Sequence, residues 1–138
     1  WKPEDLVVNM HICRGNFRST WFSSGGYEPV AKTLFGHCRV DGFFLEYDSD
    51  RAGDFTPLRY IKDQKVVLGL ITSKSGDLED KGEVIARIKE ASQYVPLEQL
   101  CLSPQCGFSS TEEGNILTID AQWDKLKLID EIVREVWG

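Results

Sequence analysis

The chain has 138 residues, 16 of them basic and 22 acidic, for a formal net charge of −6 and a sequence pI near 4.9. That balance argues against nucleic acid and anionic membranes as main partners, because both need basic patches. No run approaches the ~20 apolar residues of a membrane span and no signal peptide is visible, so the expectation is a soluble, cytoplasmic protein.

The apolar content of 41% is enough for a core without covalent staples, and the four cysteines are read as thiols rather than as two disulfides. Residues 6–13 form the first strand-like run, followed by a short flexible loop at Ser23-Ser24-Gly25-Gly26. A helical segment, 27–35, opens at Glu28-Pro29 and leads to a second strand-like run, 40–46. Residues 55–61, with Pro57 near the start, read as the next helix, and 66–72 as the third strand. In 80–94 the apolar residues Val84, Ile85, Ile88 and Ala91 share one helical stripe. The fourth strand-like run is 97–103. The last helix, 118–137, repeats Ile119, Trp123, Leu126, Ile129, Ile132, Val133 and Val136 at steps of three and four, with Thr118 as N-cap.

Near-continuous apolar runs suit parallel strands covered on both faces, and the order is strand then helix four times over. This is an α/β chain with the content of half an eight-unit barrel, an architecture that typically needs about 250 residues. Residues 1–138 are therefore expected to form a single half-barrel fragment. Trp1 where an initiator Met would stand, and Pro3-Glu4-Asp5 as a helix-to-strand connection, point the same way. Two sheet edges left open would also favour self-association.

Parallel strands bring their carboxyl ends to one rim, and His11, Cys13, Glu46 and Cys106 each fall at such an end. A lone strand-end histidine is more often a hydrogen-bonded structural group than a ligand. His11 and Cys13 together are more informative, because alternate strand residues project to the same side. Glu46 follows an apolar run, where a carboxylate is costly unless paired or metal-bound. Cys106 lies between Pro104-Gln105 and Gly107, as in a strand-to-loop exit. One imidazole, two thiolates and a carboxylate make a tetrahedral zinc set. Cys38 and Cys101, beside strand-like runs, read as inert buried thiols. Arg14 and Asn16 are candidates to support the ligands; Asp48, Asp50 and Arg51 either orient a substrate or solvate their loop.

The stretches His11-Ile12-Cys13-Arg14-Gly15-Asn16, Phe44-Leu45-Glu46-Tyr47-Asp48 and Leu102-Ser103-Pro104-Gln105-Cys106-Gly107-Phe108 resemble the zinc motifs of the cobalamin-independent methionine synthases, and more closely those of the shorter bacterial methionine-synthase-like proteins. The resemblance runs over nearly the whole chain. It implies that His11, Cys13, Glu46 and Cys106 are the catalytic zinc ligands of a C-terminal half-barrel, and that homocysteine, bound as a thiolate, takes a methyl group from 5-methyltetrahydrofolate.

That chemistry is physically coherent. A methyl group on a tertiary amine is a poor electrophile, so the acceptor must be a thiolate, whereas a free thiol has a pKa of about 8.5. Zinc supplies the missing acidity. A carboxylate is harder than a thiolate and zinc is borderline-soft, which marks Glu46 as the exchangeable, and so catalytic, ligand. At Ser73-Lys74-Ser75 the chain departs from the family, where a histidine acting as general acid near the folate is expected. Lys74 is the catalytic candidate in its place, either donating a proton or holding a substrate carboxylate. The methyl donor therefore stays open. The alternatives are a thiol methyltransferase with a different donor, corrinoid-linked included, and a non-catalytic zinc-binding fragment, since the groups that grip the amino acid and the folate would lie mostly in a missing N-terminal half.

Overall fold

The computed structural model describes residues 3–109 and 111–138, so Trp1 lies outside the described residues. Strands β1 (Asn9–Ile12), β2 (Gly42–Glu46), β3 (Lys65–Ile71) and β4 (Leu100–Pro104) form one sheet in sequential order, with every pair parallel. Helices α1 (Glu28–His37), α2 (Lys81–Ala91) and α3 (Ile119–Val136) follow β1, β3 and β4. This is the α/β half-barrel expected from the sequence. Among the described residues no helix is long and apolar enough to cross a membrane.

The unit after β2 differs from expectation. Residues 55–61 do not make an α-helix; the chain there takes two 3₁₀ turns, Asp50–Ala52 and Thr56–Tyr60. Pro57 stands in the first turn, where a helix would tolerate it, and Phe55 and Leu58 are buried as anchors that a short turn delivers. The first strand is also shorter than expected. Leu6 and Val7 are exposed, and pairing ends where the Val8 N–H donates to Asp41 Oδ2 at 2.6 Å. The fourth begins later, because Leu97–Gln99 form a 3₁₀ turn behind Pro96.

Alternation along each strand sorts the two faces. Phe43 and Leu45, Val66, Leu68 and Leu70, and Leu100 are buried under the helices. An aromatic row runs through this layer: Phe35 meets Phe43 edge-on at 5.1 Å, Tyr27 lies 5.3 Å from Tyr47, and Tyr47 lies 4.5 Å from Phe55. The opposite face carries Asn9, His11 and Phe44, all exposed, and half-buried Val67 and Cys101. Cys38 and Cys101 are thus half-buried rather than buried.

Asp80 caps α2 by accepting from the Glu83 N–H at 2.9 Å, and Val84, Ile85, Ile88 and Ala91 are buried as the stripe requires. Thr118 caps α3 through the Ala121 N–H at 3.1 Å. Only part of the α3 stripe packs: Ile132 is buried and Leu128, Ile129 and Val136 lie against the core, but Ile119, Trp123 and Val133 are exposed. The first half of α3 is instead fastened by Lys125, fully buried, whose ammonium holds both Glu79 oxygens at 3.0 Å and the Asp77 carbonyl. Glu79 Oε1 also accepts from the Thr72 N–H at 2.8 Å, so this ion pair ties α3 to the end of β3.

Breaking a buried pair leaves an uncompensated charge. Lys125→Met is therefore expected to lower the free energy of unfolding by about 3 kcal/mol, measured by urea denaturation.

Candidate metal centre

The carboxyl ends of the strands deliver their loops to one place. His11, on the uncovered face of β1, and Cys13, two residues on, meet Cys106 from the loop after β4; one ligand atom from each lies within 4.8 Å of the others. Cys106 Sγ is 3.5 Å from His11 Nε2. Two backbone features bring it there. A register shift between Gly69 and Ile71 puts an irregularity into the β3–β4 ladder just before the rim, the kind of feature that re-aims side chains. Cys106 itself has φ +54°, a left-handed conformation unusual outside glycine, and Gly107 continues the turn at φ +74°. Gly69 gives room for this approach, since a Cβ there would sit 2.9 Å from the Leu45 carbonyl oxygen and 3.4 Å from Gln105 Cα.

Glu46 is fully buried beside this cluster, but its carboxylate lies outside the group of mutually close ligand atoms. Both oxygens are already held. Oε1 accepts from Arg51 Nη2 at 2.9 Å; Oε2 accepts from the Arg14 N–H at 2.7 Å and from Gln105 Nε2 at 3.0 Å. Burial without such donors would be prohibitive for a charged group. The backbone of Glu46 is equally tied down: its N–H donates to Tyr27 Oη at 2.8 Å, and Arg14 Nη1 donates to the same phenol at 3.0 Å. Burial pushes the Tyr27 hydroxyl up to about 12, against the lowering effect of Arg14.

Lys74 is turned inward, its ammonium 2.9 Å from Asp48 Oδ2 and donating to Gln105 Oε1. Asp48 and Arg51 thus belong to the site, whereas Asp50 is exposed. Asn16 is buried and donates to Ser73 Oγ at 3.2 Å, and the Ser73 hydroxyl donates to the Gln105 carbonyl at 2.6 Å. Gln105, Tyr27 and Ser73 were not singled out by the sequence as site residues. The only hint at Gln105 was its place directly before Cys106. A cavity of about 270 Å³ opens over the site, lined by His11, Phe44, Glu46, Gln105 and Cys106 among others.

The donor set fits zinc. One imidazole nitrogen and two sulfurs are its preferred partners. Burial, followed by the hydrogen bond and charge of Cys13, pushes the Cys106 thiol up to about 12. Two thiolates side by side in a half-buried site need a compensating cation.

These features define one half of a parallel β/α barrel with a His–Cys–Cys cluster at the carboxyl rim of its strands. No protein-family model matches the chain. It is 59% identical over 138 residues to the uncharacterized protein YxjH of Bacillus subtilis (strain 168), covering 99% of this chain and 37% of YxjH. Its structure is similar to that of a candidate vitamin-B12-independent methionine synthase from Listeria monocytogenes, at TM-score 0.75 and 48% identity over 99% of this chain and 37% of that one. It is likewise similar to the B12-independent methionine synthase of Shewanella sp. W3-18-1 in complex with selenomethionine, at TM-score 0.74 and 25% identity over 96% of this chain and 40% of that one. The chain is methionine-synthase-like in sequence and fold, and spans little more than a third of the length of such relatives.

In the metal-free protein, alkylation of Cys106 by iodoacetamide should be slow at about pH 8.5, where an ordinary thiol is half ionised, and its rate should keep rising toward pH 12. Peptide mass spectrometry across that range checks this.

Proposed function

We propose that this chain carries the metal-holding half of a zinc-dependent methyltransferase that moves a methyl group from 5-methyltetrahydrofolate to the thiol of homocysteine. The observation that carries the reading is the convergence of His11, Cys13 and Cys106 at the strand ends beside buried Glu46. The relatives support it, since the Shewanella protein is named a B12-independent methionine synthase and was solved with selenomethionine, an analogue of the expected product.

His11, Cys13 and Cys106 would hold the metal, with Glu46 as the fourth, exchangeable ligand. Zinc supplies the positive charge that lets a substrate thiol exist as thiolate near neutral pH. The thiolate sulfur bonds to the methyl carbon as the methyl–nitrogen bond breaks; the electron pair stays on the donor nitrogen, which then takes a proton. The chain's own residues arrange this. Phe44 and Pro104 contribute apolar surface to the lining of the open cavity beside the reacting sulfur. Arg51 and Gln105 offer Glu46 a place off the metal when sulfur arrives. The residues that grip the amino acid and the folate would be supplied mostly by the remainder of a longer protein, consistent with the fraction of each relative that this chain spans. A methyl donor other than the folate is the second reading, favoured by Lys74 standing where the family resemblance expects a histidine.

Cys13→Ser and Cys106→Ser should each abolish stoichiometric zinc and methyl transfer to homocysteine in the intact protein, measured by elemental analysis and by methionine formation. Full zinc content in both variants would defeat the proposal. Transfer from another donor with none from 5-methyltetrahydrofolate would keep the acceptor and replace the donor.

A further inference from the structure

Beside the metal cluster five side chains close into a ring. Glu46 Oε1 meets Arg51 Nη2 at 2.9 Å, and the same nitrogen is 3.7 Å from Asp48 Oδ1. Asp48 Oδ2 meets Lys74 Nζ at 2.9 Å; Lys74 donates to Gln105 Oε1; and Gln105 Nε2 returns to Glu46 Oε2 at 3.0 Å. Gln105 and Glu46 have at most 1% of their surface exposed. Each ring member comes from β2, from β3's exit loop, from β4's exit loop or from the turn after β2, so the ring spans three strand ends.

The chemistry of the donors fixes its direction. An ammonium has only donors, so Gln105 must present its carbonyl oxygen to Lys74. Its amide nitrogen is thereby aimed at Glu46 Oε2 and also at Cys106 Sγ. With Lys74 absent, the amide is free to turn over and present oxygen to the carboxylate, which would expel it. The ring holds one donor on each Glu46 oxygen while the carboxylate stands outside the His11–Cys13–Cys106 cluster, so reaching a metal there means moving away from those donors. The ring and the metal compete for one carboxylate.

Resting on the zinc-methyltransferase reading above, we propose that Lys74, acting through Gln105 and together with Arg51, forms a cradle that competes with the metal for Glu46 and receives the carboxylate when a substrate thiolate takes its place. Lys74 is then a positioning residue, rather than a proton donor or a clamp for a substrate carboxylate. Trp21, stacked 4.7 Å from the Arg51 guanidinium, braces one side of the cradle.

The test is a double-mutant cycle read as zinc affinity, by competition with a chelator, in the intact protein. Removing the cradle frees Glu46 for the metal, so Gln105→Leu and Lys74→Met should each tighten zinc binding, by roughly tenfold for the loss of one charge-assisted hydrogen bond. The gain should vanish in a Glu46→Gln background, and Lys74→Arg should restore wild-type affinity. Gln105→Leu changes no charge; if it does not fold, Lys74→Met in the two Glu46 backgrounds decides alone. Weaker zinc binding would mean that the ring steers Glu46 onto the metal, and equal tightening in both backgrounds would reduce the effect to a change of local field. Either result overturns the cradle while leaving the methyltransferase reading intact. Loss of stoichiometric zinc from the wild-type protein, by contrast, would remove that reading and the cradle with it.

Discussion

The site is organised around one buried negative charge. A carboxylate with no exposed surface is tolerable only where hydrogen bonds and cations replace its water, and Glu46 at the end of β2 has all of its donors from elsewhere in the chain. The Arg14 N–H comes from the loop after β1, Arg51 from the turn after β2, and Gln105 from the exit of β4. Satisfying this charge draws together the loops that carry Cys13 and Cys106. The His11–Cys13–Cys106 cluster and the carboxylate are therefore brought together by the same loops.

The sheet explains why this happens at one end and on one face. The helices and the aromatic row of Tyr27, Phe35, Phe43, Tyr47 and Phe55 cover one side of the strands, which fixes the outward alternation of His11, Phe44 and Cys101 on the other. Tyr27 belongs to both regions: its ring packs in the core, while its hydroxyl receives the N–H of Glu46. Packing on the helix side thus sets the position of a side chain on the site side. Lys125 does the same at the next strand end, joining α3 through Glu79 to the residues just ahead of Lys74.

Much of this was legible in the sequence because periodicity and residue type reported the same thing. The four strand runs follow from near-continuous apolar stretches, and the α2 stripe and the shared side of His11 and Cys13 from spacing. Where spacing failed, a specific contact overrode it. Residues 55–61 contain apolar anchors, Phe55 and Leu58, that a 3₁₀ turn buries as well as a helix would. The α3 stripe included Ile119 and Trp123, which the structure leaves exposed, and missed Lys125, because a buried lysine is invisible until its partner 46 positions away is in place. Gln105 escaped for the same reason. Its role depends on Lys74, Glu46 and Cys106 at once, and no local pattern marks such a junction.

The proposed zinc chemistry requires a metal held by His11, Cys13 and Cys106 to exchange a light-atom ligand for the sulfur of an incoming thiol. X-ray absorption at the zinc edge of the zinc-loaded intact protein, with and without saturating homocysteine, addresses it directly. Two sulfur ligands are expected in the resting protein, rising to three with loss of one nitrogen or oxygen ligand when the thiol is added. A coordination shell unchanged by saturating homocysteine would contradict it.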